Sequence, residues 1–446
     1  MKDGRIFSLR SQSASTRAVA SAQLALNLIL LVVGVALASS GVRLAMLLIA
    51  LVPLAFVPFS YARLRWHRFL ETHLPPWGVC LLCGVGITFD AVMALQLLSA
   101  RRVGAGALLQ APGVTWIGTV WFSAHAMILF SYGLLWLART GSKPVRRVMR
   151  TRRPPSAEVD RSRRELLQTA GLFGSALPFG VSLSGVPVSY DFRIERRDLA
   201  LAAWPTSLDG LRIVHLSDIH VGGMMDRERL LRVAELTNQC EPDLVLHTGD
   251  FLTHRPGDFD APLYEALALI RAPYGQWACL GNHDYDNVTR LGQKLGDCGV
   301  TTLRNQMVSL SIRGTRLEIG GIDFVFDRAH RSSLYSQIVG SWEARGQAPR
   351  ILLSHDPTGF VHLPDGCADL VLSGHTHGGH IGVQLGPSQA ITLVGLAGIP
   401  DQGLFHRAGM TMYVTRCVGF YGYPMRIGIP PEIALLVVKR DAGTAV

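Results

Sequence analysis

Five times in the last half of the chain, a short apolar run stops at a side chain able to hold a metal ion. The runs are Ile213-Val-His-Leu-Ser-Asp218-Ile-His220, Leu244-Val-Leu-His-Thr-Gly-Asp250, Ala278-Cys-Leu-Gly-Asn282-His283-Asp284, Ile351-Leu-Leu-Ser-His355 and Asp369-Leu-Val-Leu-Ser-Gly-His375-Thr-His377. Strands buried on both faces read as continuous apolar runs. Ligands of open α/β sheets gather at the carboxyl ends of such strands. The pattern therefore predicts a scaffold that brings five strand ends together around metal.

The segments between these runs fit that reading. Strands are expected over 192–203 and 211–216, then a helix from Asp226 to Cys240 with Leu230, Val233, Ala234 and Leu236 at helical spacing. Strand 243–247, helix 261–271, strand 275–280 and helix 287–298 follow. A run of βαβ units predicts a mostly parallel sheet. After residue 300 the pattern shortens to strands at 307–312, 315–321, 351–354, 369–373, 391–395, 411–416 and 433–438, which predict a second sheet packed on the first. The class is α/β.

The first part of the chain is patterned differently. Four apolar segments of spanning length run over 18–39, 44–62, 77–99 and 116–138. Trp77, Trp116, Trp121 and Trp136 lie toward their ends, as interfacial aromatics do. An all-α transmembrane helical bundle is expected over residues 1–138, followed by a Pro- and Arg-rich linker at 139–164. Basic residues flank both ends of the bundle, which places both ends in the cytoplasm. Asp90 and His125 are ionisable groups within segments three and four, and the expectation is that they pair inside the bundle. Ser162-Arg-Arg-Glu-Leu-Leu167 and the weakly apolar stretch behind it look like a twin-arginine export signal placed internally. If residues 165–190 cross the membrane as a fifth span, the domain at 191–446 lies on the outer, periplasmic face of a bacterial inner membrane.

Charge divides the chain at the same place. Residues 1–164 hold 20 Lys/Arg against 5 Asp/Glu, and residues 165–446 hold 23 against 28. The basic balance belongs to the membrane-like part, so no nucleic-acid surface is implied for the rest. The seven cysteines show no paired CxxC…CxxC zinc spacing and suggest no disulfide framework. Nothing in the sequence fixes the oligomeric state.

Asp218, His220, Asp250, Asn282, His355, His375 and His377 make a mixed N/O donor set without thiolate. It suits two divalent ions such as Mn, Fe or Zn and does not suit a structural zinc. Two ions about 3.5–4 Å apart clamp a phosphate ester and generate a hydroxide nucleophile.

In order, Asp218-x-His220, Gly249-Asp250, Gly281-Asn282-His283-Asp284, His355 and Gly374-His375-x-His377 resemble the signature of the calcineurin-like metallophosphoesterases. The likeness covers about residues 208–440. Ser373-Gly-His-Thr-His-Gly-Gly379 and the pattern Tyr413…Gly419…Pro424-x-Arg426…Pro431-Glu432 resemble its membrane-associated bacterial branch, the exported YkuE type. The resemblance implies a four-layer α/β-sandwich with a two-metal site at the sheet edge. It implies that Asp218, His220 and His377 hold one ion, that Asp250 bridges, and that Asn282, His355 and His375 hold the other. It further implies that His283 is the general acid, with Asp284 orienting its imidazole.

The chain departs from the family where Thr253 and His254 stand in place of an acid and an arginine, which counts against protein phosphatase activity. Arg255, His380 and Arg426 are candidate substrate contacts, with His380 also readable as a plain loop histidine. The expected substrate is a membrane-associated phosphodiester, phosphomonoester or pyrophosphate, and the lipid bilayer is an expected partner. A UDP-2,3-diacylglucosamine-like molecule of lipid A synthesis is one option. That reaction belongs on the cytoplasmic face, so an outward domain would count against it. The rival reading is a membrane sensor or transporter bundle whose phosphoesterase domain only binds a ligand.

Overall fold

The computed structural model describes residues 177–446 apart from 223, 254–259, 343–345, 387–388, 420, 422–424 and 442–446, together with residues 120, 123, 124 and 127. The first three expected spans, all of the fourth but those four residues, Asp90, His125, the linker at 139–164, residues 165–176 of the 165–190 segment, His254 and Arg255 lie outside them. Among the described residues no helix is long and apolar enough to cross a membrane. The chain divides into two compact units, Met1–Leu183 and Ser184–Val446. The second holds every strand and helix labelled below.

Its strands are β1 (Arg193–Leu201), β2 (Leu211–Leu216), β3 (Leu244–His247), β4 (Gln276–Ala278), β5 (Val300–Thr302), β6 (Gln306–Ile312), β7 (Thr315–Ile322), β8 (Arg350–Ser354), β9 (Leu370–Ser373), β10 (Gly382–Gly386), β11 (Gln389–Thr392), β12 (Gly403–Arg407), β13 (Met410–Val414) and β14 (Glu432–Arg440). The helices are α1 (Arg227–Gln239), α2 (Ala261–Ala268), α3 (Val288–Asp297), α4 (Arg331–Gly340) and the single turn α5 (Leu393–Leu396).

Two six-stranded sheets carry the fold, in the orders β1-β14-β2-β3-β4-β5 and β12-β13-β9-β8-β7-β6. The runs β2-β3-β4-β5 and β13-β9-β8-β7 are parallel. Every residue of β3, β8 and β9 is buried, which is why these strands lack alternation. The inner faces meet in one apolar core, where Ile213, Leu244 and Leu436 of the first sheet pack with Leu317, Ile351 and Leu370 of the second. Helices α1, α2 and α3 cover the outer face of the first sheet. Helix α4 covers the second, through Tyr335 against Leu352 and Val371. The result is a four-layer α/β-sandwich. Each buried Leu, Ile or Val contributes about 1.5–3 kcal/mol relative to exposure, and the three cores together hold the layers.

The strand expected over 391–395 ends at Thr392 and turns into α5. Thr392 has an extended backbone and its hydroxyl accepts the Gly395 N–H at 2.9 Å, an N-cap that starts a helical turn. Strands β5, β10 and β12 and helix α4 carry too weak a period to be read from sequence. The last residues of the expected 165–190 segment belong to the second unit. The Ser189 hydroxyl accepts the Arg426 N–H at 2.8 Å, and a Cβ at Gly185 would collide with Met425.

Candidate metal centre

All five predicted runs deliver their polar ends to one place. Strands β2, β3 and β4 of the first sheet and β8 and β9 of the second point their carboxyl ends toward a common edge. Three groups of side chains there could each hold an ion. They are Asp218, His220 and Asp250; Asp250, His355 and His375; and Asp218, His377 and Cys417. Asp250 belongs to two of the groups and lies between the others. Its Oδ2 is 3.5 Å from His220 Nε2 and 3.3 Å from His355 Nε2. Asp218 Oδ1 is 3.2 Å from His377 Nε2.

The backbone carries a second signature of the site. Asp218, His220, Asp250, His375 and His377 all have positive φ, between 49° and 68°. Residues other than glycine rarely adopt that region, and their clustering marks strained, functional loops. Gly249, at φ 89°, is what lets the Asp250 loop approach the Asn282 loop, because a Cβ there would overlap the Gly281 backbone. A Cβ at Gly374 would overlap Ser217 and Asp218. Gly249→Ala is expected to destabilise the fold by about 3 kcal/mol or more, since it adds both overlap and left-handed strain. Urea unfolding of the variant against the parent checks this.

The imidazoles are held by their other nitrogens. Nδ1 of His220, His355 and His377 lies 3.2, 2.6 and 3.2 Å from the carbonyls of Leu252, Thr248 and Gly419. A proton on Nδ1 leaves Nε2 as an acceptor facing the centre, which is how metal-binding imidazoles are commonly oriented. Asp218 Oδ1, His220 Nε2 and Asn282 Oδ1 are buried with no hydrogen-bond partner. Buried polar atoms without partners are costly, and divalent ions bound there would satisfy them. The donor set and these orphaned atoms fit two divalent metals.

Electrostatics agree. Burial alone would raise the Asp218 carboxyl, but His377 and His355 hold it well below the usual range. Burial would lower His355, yet Asp250 and Asp218 outweigh it and push it up to about 10 when no cation is near. Cation entry at neutral pH therefore displaces a proton from this imidazole.

His283 sits half-buried at the mouth, its ring centroid 5.2 Å from that of His220 and 4.1 Å from that of Tyr421. Its backbone N–H donates to Asp250 Oδ1 at 2.8 Å. Burial lowers its pKa, against the pull of Asp250.

Two expected roles need correction. Asp284 does not orient the His283 imidazole. Its carboxylate is buried beneath the loops and accepts the N–H groups of Asp250, Phe251, Leu252 and Gly281 at 2.8–3.3 Å. It holds the bridging loop in shape, because four backbone donors converge on one acidic group. Burial, with the Asp250 charge beside it, pushes this carboxyl up to about 7. Arg426 is no substrate contact, being fully buried. It donates to the carbonyls of His377, Cys417 and Gly419 at 3.0, 3.2 and 2.5 Å, clamping the loops that carry the ligands. Arg426→Met is expected to cost about 3 kcal/mol or more in stability, since it strips donors from three buried carbonyls. KM for soluble substrate should stay within about twofold, because the side chain is walled off from solvent. Thermal melting and steady-state kinetics check the pair.

His380 is partly buried and stacks on the His377 ring at 4.7 Å. His215 and His247 lie inside strands with Nε2 on Thr248 Oγ1 and Gln276 Oε1 at 2.9 and 3.1 Å. Burial pulls their pKa values down to about 3 and about 4, so they are neutral core residues. The sequence reading missed Cys417, whose buried thiol donates to Asp218 Oδ2 at 3.1 Å. The signal was present, since Met410-Thr-Met-Tyr-Val414 is one more apolar run ending beside a ligand-type residue. Tyr421, stacked on His220 with centroids 5.1 Å apart, was missed as well.

Known proteins agree with this geometry. Residues 211–379 match the family described as calcineurin-like phosphoesterase. The chain is 30% identical over 236 residues to the uncharacterized metallophosphoesterase YkoQ of Bacillus subtilis, covering 50% of this chain and 82% of that protein. It is 29% identical over 299 residues to the uncharacterized metallophosphoesterase YkuE of the same organism, covering 62% of this chain and 98% of that protein. It is 33% identical over 253 residues to a Danio rerio transmembrane protein with metallophosphoesterase domain, covering 53% of this chain and 55% of that protein. The chain thus spans about half the length of this animal relative. It belongs to the calcineurin-like phosphoesterase family, whose members are metal-dependent hydrolases of phosphate esters, and its bacterial likeness is to the YkuE branch.

Proposed function

We propose that the chain is a membrane-anchored hydrolase that cleaves a membrane-borne phosphoester with two divalent ions. One observation carries the hydrolytic reading: six Asp and His ligands from the strand ends form overlapping groups joined through Asp250, and Asp218 Oδ1, His220 Nε2 and Asn282 Oδ1 are buried there without partners. Two divalent ions bound there supply a nucleophile from water at neutral pH and neutralise charge on phosphorus.

The chain's own residues do the rest. Asp218, His220 and His377 would hold one ion and Asn282, His355 and His375 the other, with Asp250 shared between them. His283 stands at the open side, where its imidazole reaches the leaving oxygen and protonates it. Asp284 and Arg426 keep the loops in register. Tyr421 packs against His220 and His283 and narrows the approach to them.

The anchor rests on the four apolar segments within residues 1–138, the basic linker at 139–164 and the twin-arginine-like segment at 165–190. They support a bacterial inner-membrane protein whose domain, from about residue 191 onward, faces the periplasm. The proposed substrate is a phospholipid or nucleotide-sugar lipid, with the UDP-2,3-diacylglucosamine type fitting only a cytoplasmic domain. The complete ligand set favours hydrolysis over ligand sensing.

The full chain with Mn²⁺ is expected to hydrolyse a nitrophenyl phosphodiester and to lose that activity in chelator, regaining it on Mn²⁺ addition. No turnover under any metal loading would overturn the proposal. For topology, a C-terminal alkaline phosphatase fusion should be active if the domain is outside.

A further inference from the structure

We infer that the hairpin β10–β11, with α5 behind it, is a surface that inserts shallowly into a lipid bilayer beside the metal loops. The inference rests on the membrane-borne substrate proposed above and names how that substrate reaches the site.

Residues 381–400 contain no Asp, Glu, Lys, Arg or His. The antiparallel register sets Val383 opposite Ile391, and Leu385 is the extra residue where the register shifts between Gln384 and Gly386. These three are 61%, 52% and 61% exposed. Leu393 and Leu396, three apart on α5, are 63% and 74% exposed. Five large apolar side chains of one uncharged stretch are thus exposed to water, where folded chains normally place charge.

The opposite face is fixed to the active site. Ile381 N donates to Gly379 O at 2.6 Å, Gly382 N to Ile427 O at 3.0 Å, and Ile427 N to His380 O at 2.9 Å. Thr392 abuts Gly379, where any Cβ would collide with it, and its hydroxyl bonds Asp401. The hairpin is therefore rooted in the turn that carries His377.

The occupant that fits is a lipid surface. A protein partner needs polar groups to set its register, and this face offers no charge. The same chain carries four apolar segments of spanning length, which put a bilayer within reach. Backbone pairing within the hairpin leaves few bare polar groups, as shallow entry into the headgroup boundary requires. A lipid phosphoester would then meet the metal centre without leaving its leaflet.

The test uses the full chain, reconstituted in or mixed with vesicles of phosphatidylethanolamine and phosphatidylglycerol. A photo-crosslinking benzoylphenylalanine is placed at position 385 or 396, and, as a control, at the exposed Leu269 beyond α2. Lipid adducts at 385 and 396 should exceed those at 269 at least tenfold. Equal adducts at 269, none at all, or adducts only to another copy of the chain would overturn the inference. The variant Leu385→Asp/Leu396→Asp should lose at least tenfold in turnover of a vesicle-borne phosphodiester and less than twofold for a soluble nitrophenyl diester. Equal losses on both substrates would also overturn it. A wild-type chain inactive on both would sink the hydrolase reading, while the adducts still decide this one.

Discussion

Asp250→Asn should abolish hydrolysis, lowering kcat by about 10³-fold or more, with the strands still in place. Asp250 joins the group that contains His220 to the group that contains His355 and His375, at 3.5 Å from His220 and 3.3 Å from His355. The amide keeps the shape and the Oδ1 contact to the His283 N–H. It loses the negative charge that lets one side chain serve two cations. Metal content by elemental analysis should fall from two ions per chain toward one or none. Circular dichroism should be unchanged. A variant that keeps both ions and full turnover would remove the bridging assignment.

His283→Ala is expected to cost about 10²–10⁴-fold on a substrate with an alkoxide leaving group. The loss should shrink to about tenfold or less when the leaving group is nitrophenolate, which needs no proton. That split separates a proton donor from a residue that only shapes the pocket, because a shape defect would slow both substrates alike. Metal content should be unaffected, as the imidazole faces Tyr421 and the opening and no ligand group includes it. Rates with a series of leaving groups of different acidity check the prediction.

The sheets and the ligands were legible because both obey strong local rules. Runs such as Leu244–His247 and Ile351–Ser354 are buried on both faces, and each stops where a ligand begins. What escaped was set by tertiary contact. Asp284 stands next to a candidate acid in sequence and so reads as its partner. Only the fold shows that the Asp250 loop passes over it and takes its oxygens. Arg426 likewise reads as a phosphate-binding cation, until the carbonyls of His377, Cys417 and Gly419 are found around it. Cys417 escaped because it lies three residues beyond its apolar run and has no paired cysteine to mark it, although the run itself is of the kind that ends in a ligand. Strand β11 was overextended because an apolar run alone cannot show that Thr392 caps a turn.

Each ion's ligands come from both sheets, Asp218 and Asp250 following strands β2 and β3 of the first, His355 and His377 following strands β8 and β9 of the second. During synthesis the ribosome releases the early carboxylates long before the late imidazoles exist. A nascent polypeptide that stops before His355, His375 and His377 thus has no complete cage, and the first sheet itself closes only when β14, the last strand made, enters between β1 and β2. Cation retention accordingly doubles as a gauge of whether the whole sandwich has closed, and misassembled copies are silent by construction.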